Sequence, residues 1–596
     1  MTGSIIHPSL ILIIGALLLP IFRGPFRKPY LFLIPVLTLL DVIYLSGHHG
    51  TFGVYQFMDW QLVFGRVDRL SIIFALIMSL VCIIGTLYGL HVERAADHMA
   101  AWTYVAGSLG VILCADYLSL FLFWELMAFA SVFLIWLRQS EKSLAAGYRY
   151  ILVHAVGGVI LLAGIMLRYQ ATGDMSFGLL DITHPETYTY LILAGFCLNA
   201  AVVPLHAWLP DAYSNASFNG AVFLCAVTTK TAVYTLARAF PGMDLLVLLG
   251  VIMALWGMIY TIMENDIRKL LSWSIVSQVG YMVAGVGIGT QLAINGTAAH
   301  AVAHILYKSL LFMGTGSVLY MTGKTKLTNL GGLYKKMPAT MVYTIIGCQS
   351  ISAAPFFAAY VSKSMIITSM YEIHVNWAAW LLMFGATGTF IYNGLKLPYF
   401  LFFGKNNCSQ EVWNKAADPC WNMQFAMLIG SGLCIAVGTF PVLLYRFLPY
   451  PVHYQPYTAY HFLETSQLLG LAAVAFVLLK KYTEPEAKIT LSMDWFYRMG
   501  GRGFLWIVKN PLQWFDTIWG EAYRVVGLTV LMTLARFWSW FDWNVIDTIV
   551  DGIARSVRAF GARVRLLQSG QIQYTLYFAA SFAAIGLAAF IFYQLL

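Results

Sequence analysis

Residues 118–137 read LSLFLFWELMAFASVFLIWL, twenty residues with one charge among them. About 20 mostly apolar residues suffice for a helix to cross the hydrocarbon of a bilayer. Stretches of this kind recur along the whole chain. In lipid every backbone N–H and C=O must find its partner inside the protein, so a chain built of such runs folds as bundled helices. Composition agrees: 60% of the 596 residues are hydrophobic and 11% charged, against about 25% charged in soluble domains, and mean hydropathy is +0.72. The expected fold class is therefore all-α, a polytopic membrane protein of about 16 transmembrane helices. The first stretch, IIHPSLILIIGALLLPIF, lacks a basic leader and a small-residue cleavage site and is expected to be a retained helix.

A net charge of +9 would suggest nucleic acid in a soluble protein; in this one basic loops set topology, and no nucleic-acid partner is expected. RGPFRK (23–28), RQSEKSLAAGYR (138–149), ENDIRK (264–269) and KTKLTNLGGLYKK (324–336) fall in loops of one parity. The positive-inside rule puts these loops in the cytoplasm and both termini outside. The expected location is the inner or plasma membrane of a prokaryotic cell. Eight cysteines include no C-x-x-C pair, and no P-loop or G-x-G-x-x-G turn follows a strand. No metal site, redox cofactor or nucleotide is expected.

Within the spans the ionisable residues carry the information. A charge at mid-bilayer costs at least ~2.5–3.5 kcal/mol on insertion scales, and such groups face a bundle interior or a water path. Glu125 sits near the middle of the fifth span and Lys230 near the middle of the eighth. His300, His304 and Lys308 follow at i, i+4 and i+8 in HAVAHILYKSLL (300–311), so on a helix they climb one face. Lys363 lies beyond Pro355, which interrupts the twelfth span, and Lys396 lies nearer a helix end, where snorkelling competes. His154 is a lone histidine in RYILVHAVGGVI, and a satisfied core histidine is its plainer reading. Structural ion pairs are the plain reading of the others; a metal site on the histidine ladder lacks a carboxylate or thiolate to complete it. A row of titratable groups on adjacent helices suits proton hopping, since each group's proton affinity depends on its neighbour's charge.

Several motifs resemble one known family. FLFWELMAF (121–129), VVPLHAWLPDAYSNAS (202–217), TTKTAVYTLAR (228–238), ENDIRKLLSWSIVSQVGYM (264–282) and HAVAHILYKSLLFMGTGSV (300–318) occur in the order seen in antiporter-like subunits. That family is shared by respiratory complex I, Mrp-type cation/proton antiporters and membrane-bound hydrogenases. The long lateral segment and final span resemble its L-type members; TTKTAVYTLARAF and RYILVHAVGG resemble D- or H-type subunits. The resemblance implies two inverted five-helix repeats, helices 4–8 and 9–13, with helices 7 and 12 broken. It also implies a proton path through Glu125, Lys230, His300, His304, Lys308 and Lys363. Three positions depart from the pattern. Asn199 replaces a lysine that would face the helix-5 carboxylate, Ala359 replaces a glycine, and Ser364 replaces an acidic residue. With Asn199 uncharged, His154 is the nearest cation in sequence that could pair with Glu125.

The chain divides into N-terminal helices 1–100, a translocation core 101–405, two spans in 406–485, an amphipathic lateral segment 486–571 and a final span 572–596. The lateral segment alternates Trp, Phe and Ile with Arg, Asp and Lys, and is expected along the cytoplasmic interface. The resemblance implies proton translocation, alone or coupled to Na⁺, by one subunit among other membrane subunits. A non-pumping scaffold and a stand-alone Na⁺/H⁺ antiporter are the alternatives, and whether the assembly is an oxidoreductase or a pure antiporter stays open.

Overall fold

The computed structural model describes residues 6–487, 493–567 and 570–595. Residues through Tyr497 form one compact unit and those from Arg498 a second. The protein is an integral, multi-pass membrane protein. Among the described residues, twelve helices are long and apolar enough to cross a membrane.

The first unit opens with α1 (Pro8–Leu18) and α2 (Arg27–Ser46). Next comes an antiparallel hairpin, β1 (Gly50–Phe57) and β2 (Trp60–Val67), with Val54 opposite Val63. No strand is expected from the sequence; the hairpin is a minor addition, and the fold is helical as expected. The core follows as α3 (Arg69–Tyr88), α4 (Ala95–Leu113), α5 (Tyr117–Trp136), α6 (Glu141–Thr172), α7 (Thr187–Asn199), α8 (Trp208–Asn215), α9 (Gly220–Leu224) and α10 (Thr228–Ala239). It continues with α11 (Asp244–Met263), α12 (Ile267–Ile288), α13 (Gln291–Thr322), α14 (Pro338–Ile351), α15 (Ala358–Glu372) and α16 (Asn376–Thr389). A π-helical turn, Phe390–Lys396, prolongs α16. Then come α17 (Gln410–Lys415), α18 (Trp421–Thr439), α19 (Val442–Tyr445) and α20 (Ala459–Leu479).

The two halves of the core are built to one plan. Asp116 caps α5 through Ser119 N at 2.7 Å, and Asp266 caps α12 through Arg268 N at 2.9 Å. Both aspartates pair with a residue just past the next helix, Asp116 with Ser176 and Asp266 with Lys326. Ser140 and Thr290 cap α6 and α13, each 32 residues long, and Gly173 and Gly323 end them in the left-handed conformation. That conformation suits glycine, which has no Cβ to strain. The steps 116 to 266, 140 to 290, 173 to 323 and 176 to 326 are equal, so α4–α6 and α11–α13 repeat.

The expected breaks fall after α7, at 200–207, and between α14 and α15, at 352–357. A third was not expected: residues 225–227 interrupt the eighth span between α9 and α10. Broken helices within a membrane are tolerated where the freed backbone faces protein or a cavity. Arg268, fully buried, serves that purpose at the end of α8, donating to Ala216 O at 2.8 Å and Ser217 O at 3.1 Å. The packing of α11 on α12 sets the closest approach. A Cβ on Gly280 would lie 2.5 Å from Gly250 O, and one on Gly257 would lie 2.5 Å from Ser277 N. Small residues let membrane helices meet backbone to backbone, where lipid supplies no hydrophobic drive.

The remaining chain is helical from α21 (Asp494–Ile507) through α22 (Gln513–Ala522), α23 (Val530–Phe541) and α24 (Asp547–Leu566), joined by π-helical turns at Val508–Leu512, Tyr523–Thr529 and Asp542–Ile546. After this segment comes α25 (Ile572–Leu595). On α24, Ile553, Val557, Phe560 and Val564 recur at helical spacing, with Arg555, Arg558 and Arg563 between them. The tryptophans 506, 514, 519, 538, 540 and 543 are all exposed. Segment 495–566 also meets the length and composition of a span, although its alternating charge fits an interfacial helix.

Two outcomes follow from this packing. Gly280→Leu should prevent α11 from seating on α12 and reduce the folded subunit, read as a lowered melting temperature in detergent, because overpacking a backbone contact costs ~1–3 kcal/mol or more. Truncation after Lys480 should leave the rest of the first unit folded, visible as an unchanged melting temperature in detergent.

Candidate functional site

α13 carries the centre of the site. His300, His304 and Lys308 are fully buried on it. A buried ammonium is tolerated only when fixed dipoles replace its water, and each lysine meets that condition differently. Lys308 Nζ reaches across to α12, donating to Leu271 O at 3.0 Å and to Ser274 Oγ. Lys230 stands in the first turn of α10, just past the third break, and donates to Cys225 O at 2.5 Å and Thr229 Oγ1 at 3.0 Å. Lys363 on α15 donates to Ile351 O at 3.0 Å, a carbonyl at the α14–α15 break, and lies 5.0 Å from the centre of the Tyr281 ring. Two of the three lysines thus use backbone carbonyls that a helix break has freed.

The histidines link these amines. His300 Nδ1 bonds Ser362 Oγ at 2.9 Å, next to Lys363. His300 and His304 have ring centres 6.3 Å apart, and Tyr307 lies beside both. Lys230, Lys308, His300 and Lys363 are the charged or chargeable groups within electrostatic reach of His304. Cys225 Sγ, 4.0 Å from Ser309 Oγ, ties the Lys230 break to α13 beside Lys308. The structure therefore brings together five of the expected residues: Lys230, Lys308, His304, His300 and Lys363.

Both nitrogens of His304 and Nε2 of His300 are buried with no protein partner. Native proteins satisfy most buried polar atoms, and the exceptions often mark function. Glu125 Oε1, His154 Nε2 and Asn199 Nδ2 are unpartnered in the same way on α5, α6 and α7. His154 does not pair with Glu125 among the described residues. Its Nδ1 bonds Tyr150 O at 2.9 Å, and its ring lies against Tyr150 and Trp208. It occupies the place in α6 that His304 occupies in α13, the same step from its N-cap. Lys396 is buried, donating to Ile262 O at 2.5 Å, so it does not snorkel.

Three features were missed in the sequence. His206, in the α7–α8 break, is buried; its Nε2 accepts from Trp256 Nε1 at 3.1 Å and its Nδ1 is free of protein partners. Its signal was the PLHAWLP stretch itself. Hydroxyls bridge the first half of the core to Lys230: Ser131 Oγ to Tyr150 OH at 2.7 Å, and Tyr104 OH to Thr228 Oγ1 at 2.6 Å, with Tyr150 also facing Thr228. Neutral hydroxyls do not disturb hydropathy, so they gave no signal. Arg268 reads as a basic loop residue and is in fact a buried cap. Among the described residues no group of three or more His, Cys, Asp or Glu could hold a metal ion.

Residues 114–391 match the protein family described as NADH:quinone oxidoreductase/Mrp antiporter, TM. That segment is a transmembrane domain of this family. The A1-type Na⁺/H⁺ antiporter subunit of Staphylococcus haemolyticus is 29% identical over 497 residues, covering 74% of this chain and 62% of that protein. The D-type Na⁺/H⁺ antiporter subunit of Alkalihalophilus pseudofirmus is 27% identical over 404 residues, covering 63% of this chain and 82% of that protein. The chain thus spans less than two thirds of the first relative's length. A chain of the Mrp complex from Dietzia sp. superposes with a TM-score of 0.64 at 20% identity, covering 80% of this chain and 97% of that chain. The membrane-helical fold is shared.

Gly158 on α6 leaves room for the Glu125 carboxyl: a Cβ there would lie 2.0 Å from Oε1. Gly158→Ala should therefore displace the Glu125 carboxyl and lower the melting temperature of the subunit in detergent, since overpacking a buried contact is destabilising. Gly432→Ala, where a Cβ would meet nothing within 4 Å, should leave the melting temperature unchanged in the same measurement.

Proposed function

We propose that this chain translocates protons, alone or coupled to Na⁺, as the antiporter-like subunit of a multisubunit membrane complex in a prokaryotic inner or plasma membrane. The observation that carries the reading is the buried line Lys230, Lys308, His304, His300 and Lys363, in which carbonyls and hydroxyls rather than counter-charges hold the amines and three imidazole nitrogens have no protein partner. Each member can take and release a proton. Ammonium groups sharing one buried site repel, so a proton arriving at one end favours release at the other. Salt bridges placed for stability would show carboxylates beside these amines, and none of the five has an ion pair among the described residues.

In this reading Glu125, with His154 and Asn199 nearby on α6 and α7, is the entry end of the path. The Tyr150, Thr228 and Tyr104 hydroxyls join it to Lys230. The parts of the chain are then helices 1–100, a translocation core at 101–405, further spans in 406–485, the lateral segment 486–571 and the final span 572–596. The exposed tryptophans and arginines of the lateral segment suit contact with headgroups and neighbouring subunits. That surface favours a complex over a stand-alone antiporter. Asn199, uncharged where a cation would face Glu125, favours the second reading, a scaffold that no longer pumps.

Lys230→Met separates these readings. The variant should assemble with wild-type stoichiometry and lose proton transport in proteoliposomes of the complex. Wild-type transport by a correctly assembled Lys230→Met complex removes Lys230 from the path and leaves the scaffold reading.

A further inference from the structure

A cavity of about 720 Å³ lies among α15, α16, α20 and the segment before α20. Lys363 and Ser364 form part of its wall, and Tyr454, His461 and Glu464 form another part. It is therefore the place where the buried line of amines and imidazoles meets open space. The cavity has one carboxylate in its lining, Glu464, half-buried on α20.

Its side of the membrane can be worked out from the helix order. Asp418, just before α18, accepts from Ala339 N at 3.1 Å and Thr340 N at 2.9 Å, so α18 starts beside the start of α14. The α14 start follows the basic stretch 324–336, which charge places in the cytoplasm, and the α18 start lies on the same side. The far ends are joined as well: Tyr457 OH donates to Gly438 O at 2.5 Å and also accepts from Phe356 N. The α15–α16 turn, the end of α18 and the start of α20 thus lie on the outer half, and so does the cavity.

The polar lining runs from Lys363 to Glu464. Tyr454 is held by the hydroxyls of Ser364 and Thr368. Tyr360 lies against the His461 ring at 4.6 Å and donates to Pro456 O at 3.2 Å. Glu464 follows His461 at i+3, on the same face of α20, and is within electrostatic reach of Tyr360, Tyr371 and Tyr454. Among the described residues it makes no ion pair. A free carboxylate in an open, tyrosine-walled cavity beside the last lysine of the line is a proton acceptor without another task.

Building on the proposed function, we propose that this cavity is the outlet of the proton path and that Glu464 is its terminal acceptor. The Lys363 ammonium gives one proton to the cavity and becomes a neutral amine. The Glu464 carboxylate takes it, becomes the acid, and releases it to the outer water as a carboxylate again. Lys363 regains its proton from the His300 side, so protons and charges balance over the cycle.

The test uses the intact complex in proteoliposomes. Glu464→Gln should lower proton transport roughly tenfold or more, the scale of a removed proton-transfer group, with assembly unchanged by native mass. Glu464→Asp should restore most of it, which a packing role would not predict. Thr465→Cys, on the cavity wall, should react with a membrane-impermeant maleimide added to the outer side. Wild-type transport by assembled Glu464→Gln overturns the outlet while leaving the proposed function standing. Labelling of Thr465→Cys from the cytoplasmic side alone, or not at all, overturns it too, and this readout decides the matter if Glu464→Gln does not assemble. A wild-type complex that moves no protons overturns both the function and the outlet.

Discussion

An ammonium ion in the middle of a bilayer has to be given dipoles in place of water, and much of this core's architecture follows from that need. The protein meets it with backbone carbonyls. In an intact helix each carbonyl is already bonded to the N–H four residues on and offers only its second lone pair, as Leu271 O does to Lys308. Interrupting a helix frees some. Cys225 O and Ile351 O, both at interruptions, are the acceptors for Lys230 and Lys363. Carbonyls carry partial charge, so they hold an amine without locking it into one protonation state as a carboxylate would. On the proposed function, the absence of ion pairs on the five central groups, among the described residues, leaves each of them free to change its protonation state.

The breaks themselves have to be supported, and the supports are also buried charges with defined jobs. Arg268 closes the end of α8, and Asp116 and Asp266 cap α5 and α12 while pairing across to the residues that follow α6 and α13. Each device appears once per half where the repeat allows it. The glycine contact seats α12 directly on α11, and Lys308 on α13 reaches Leu271 on α12.

The two halves differ in how they use their common plan. α13 bears His300, His304 and Lys308, where the matching stretch of α6 bears Tyr150, His154 and Gly158. The second half carries chargeable groups in series. The first offers one histidine, a tyrosine hydroxyl and room for the Glu125 carboxyl. Asn199 agrees with that lighter charge. Hydroxyls that cannot hold a net charge at neutral pH can still pass protons between groups that do, and on the proposed function Tyr150, Thr228 and Tyr104 would serve in that way.

The sequence by itself determined the environment and most of the elements. Twenty-residue apolar runs, basic loops and the spacing of His300, His304 and Lys308 are local patterns, and lipid enforces them locally, since each span must satisfy its own backbone. The Pro355 break and the short seventh helix were legible for the same reason. The break at 225–227 was not, because no proline or glycine occupies those positions and the cause lies in neighbours such as Tyr104, which bonds Thr228 N at 2.9 Å. The hairpin after α2 was hidden likewise, its pairing held by Asp116 of a distant helix accepting from Val63 N. Which of the buried charges share a row was also beyond the sequence. Periodicity places a side chain on a face but does not say which helix that face meets. Only tertiary packing joined Lys230 to α13, separated His154 from Glu125, buried Lys396, and set Glu464, a hundred residues along the chain, on the cavity that Lys363 lines.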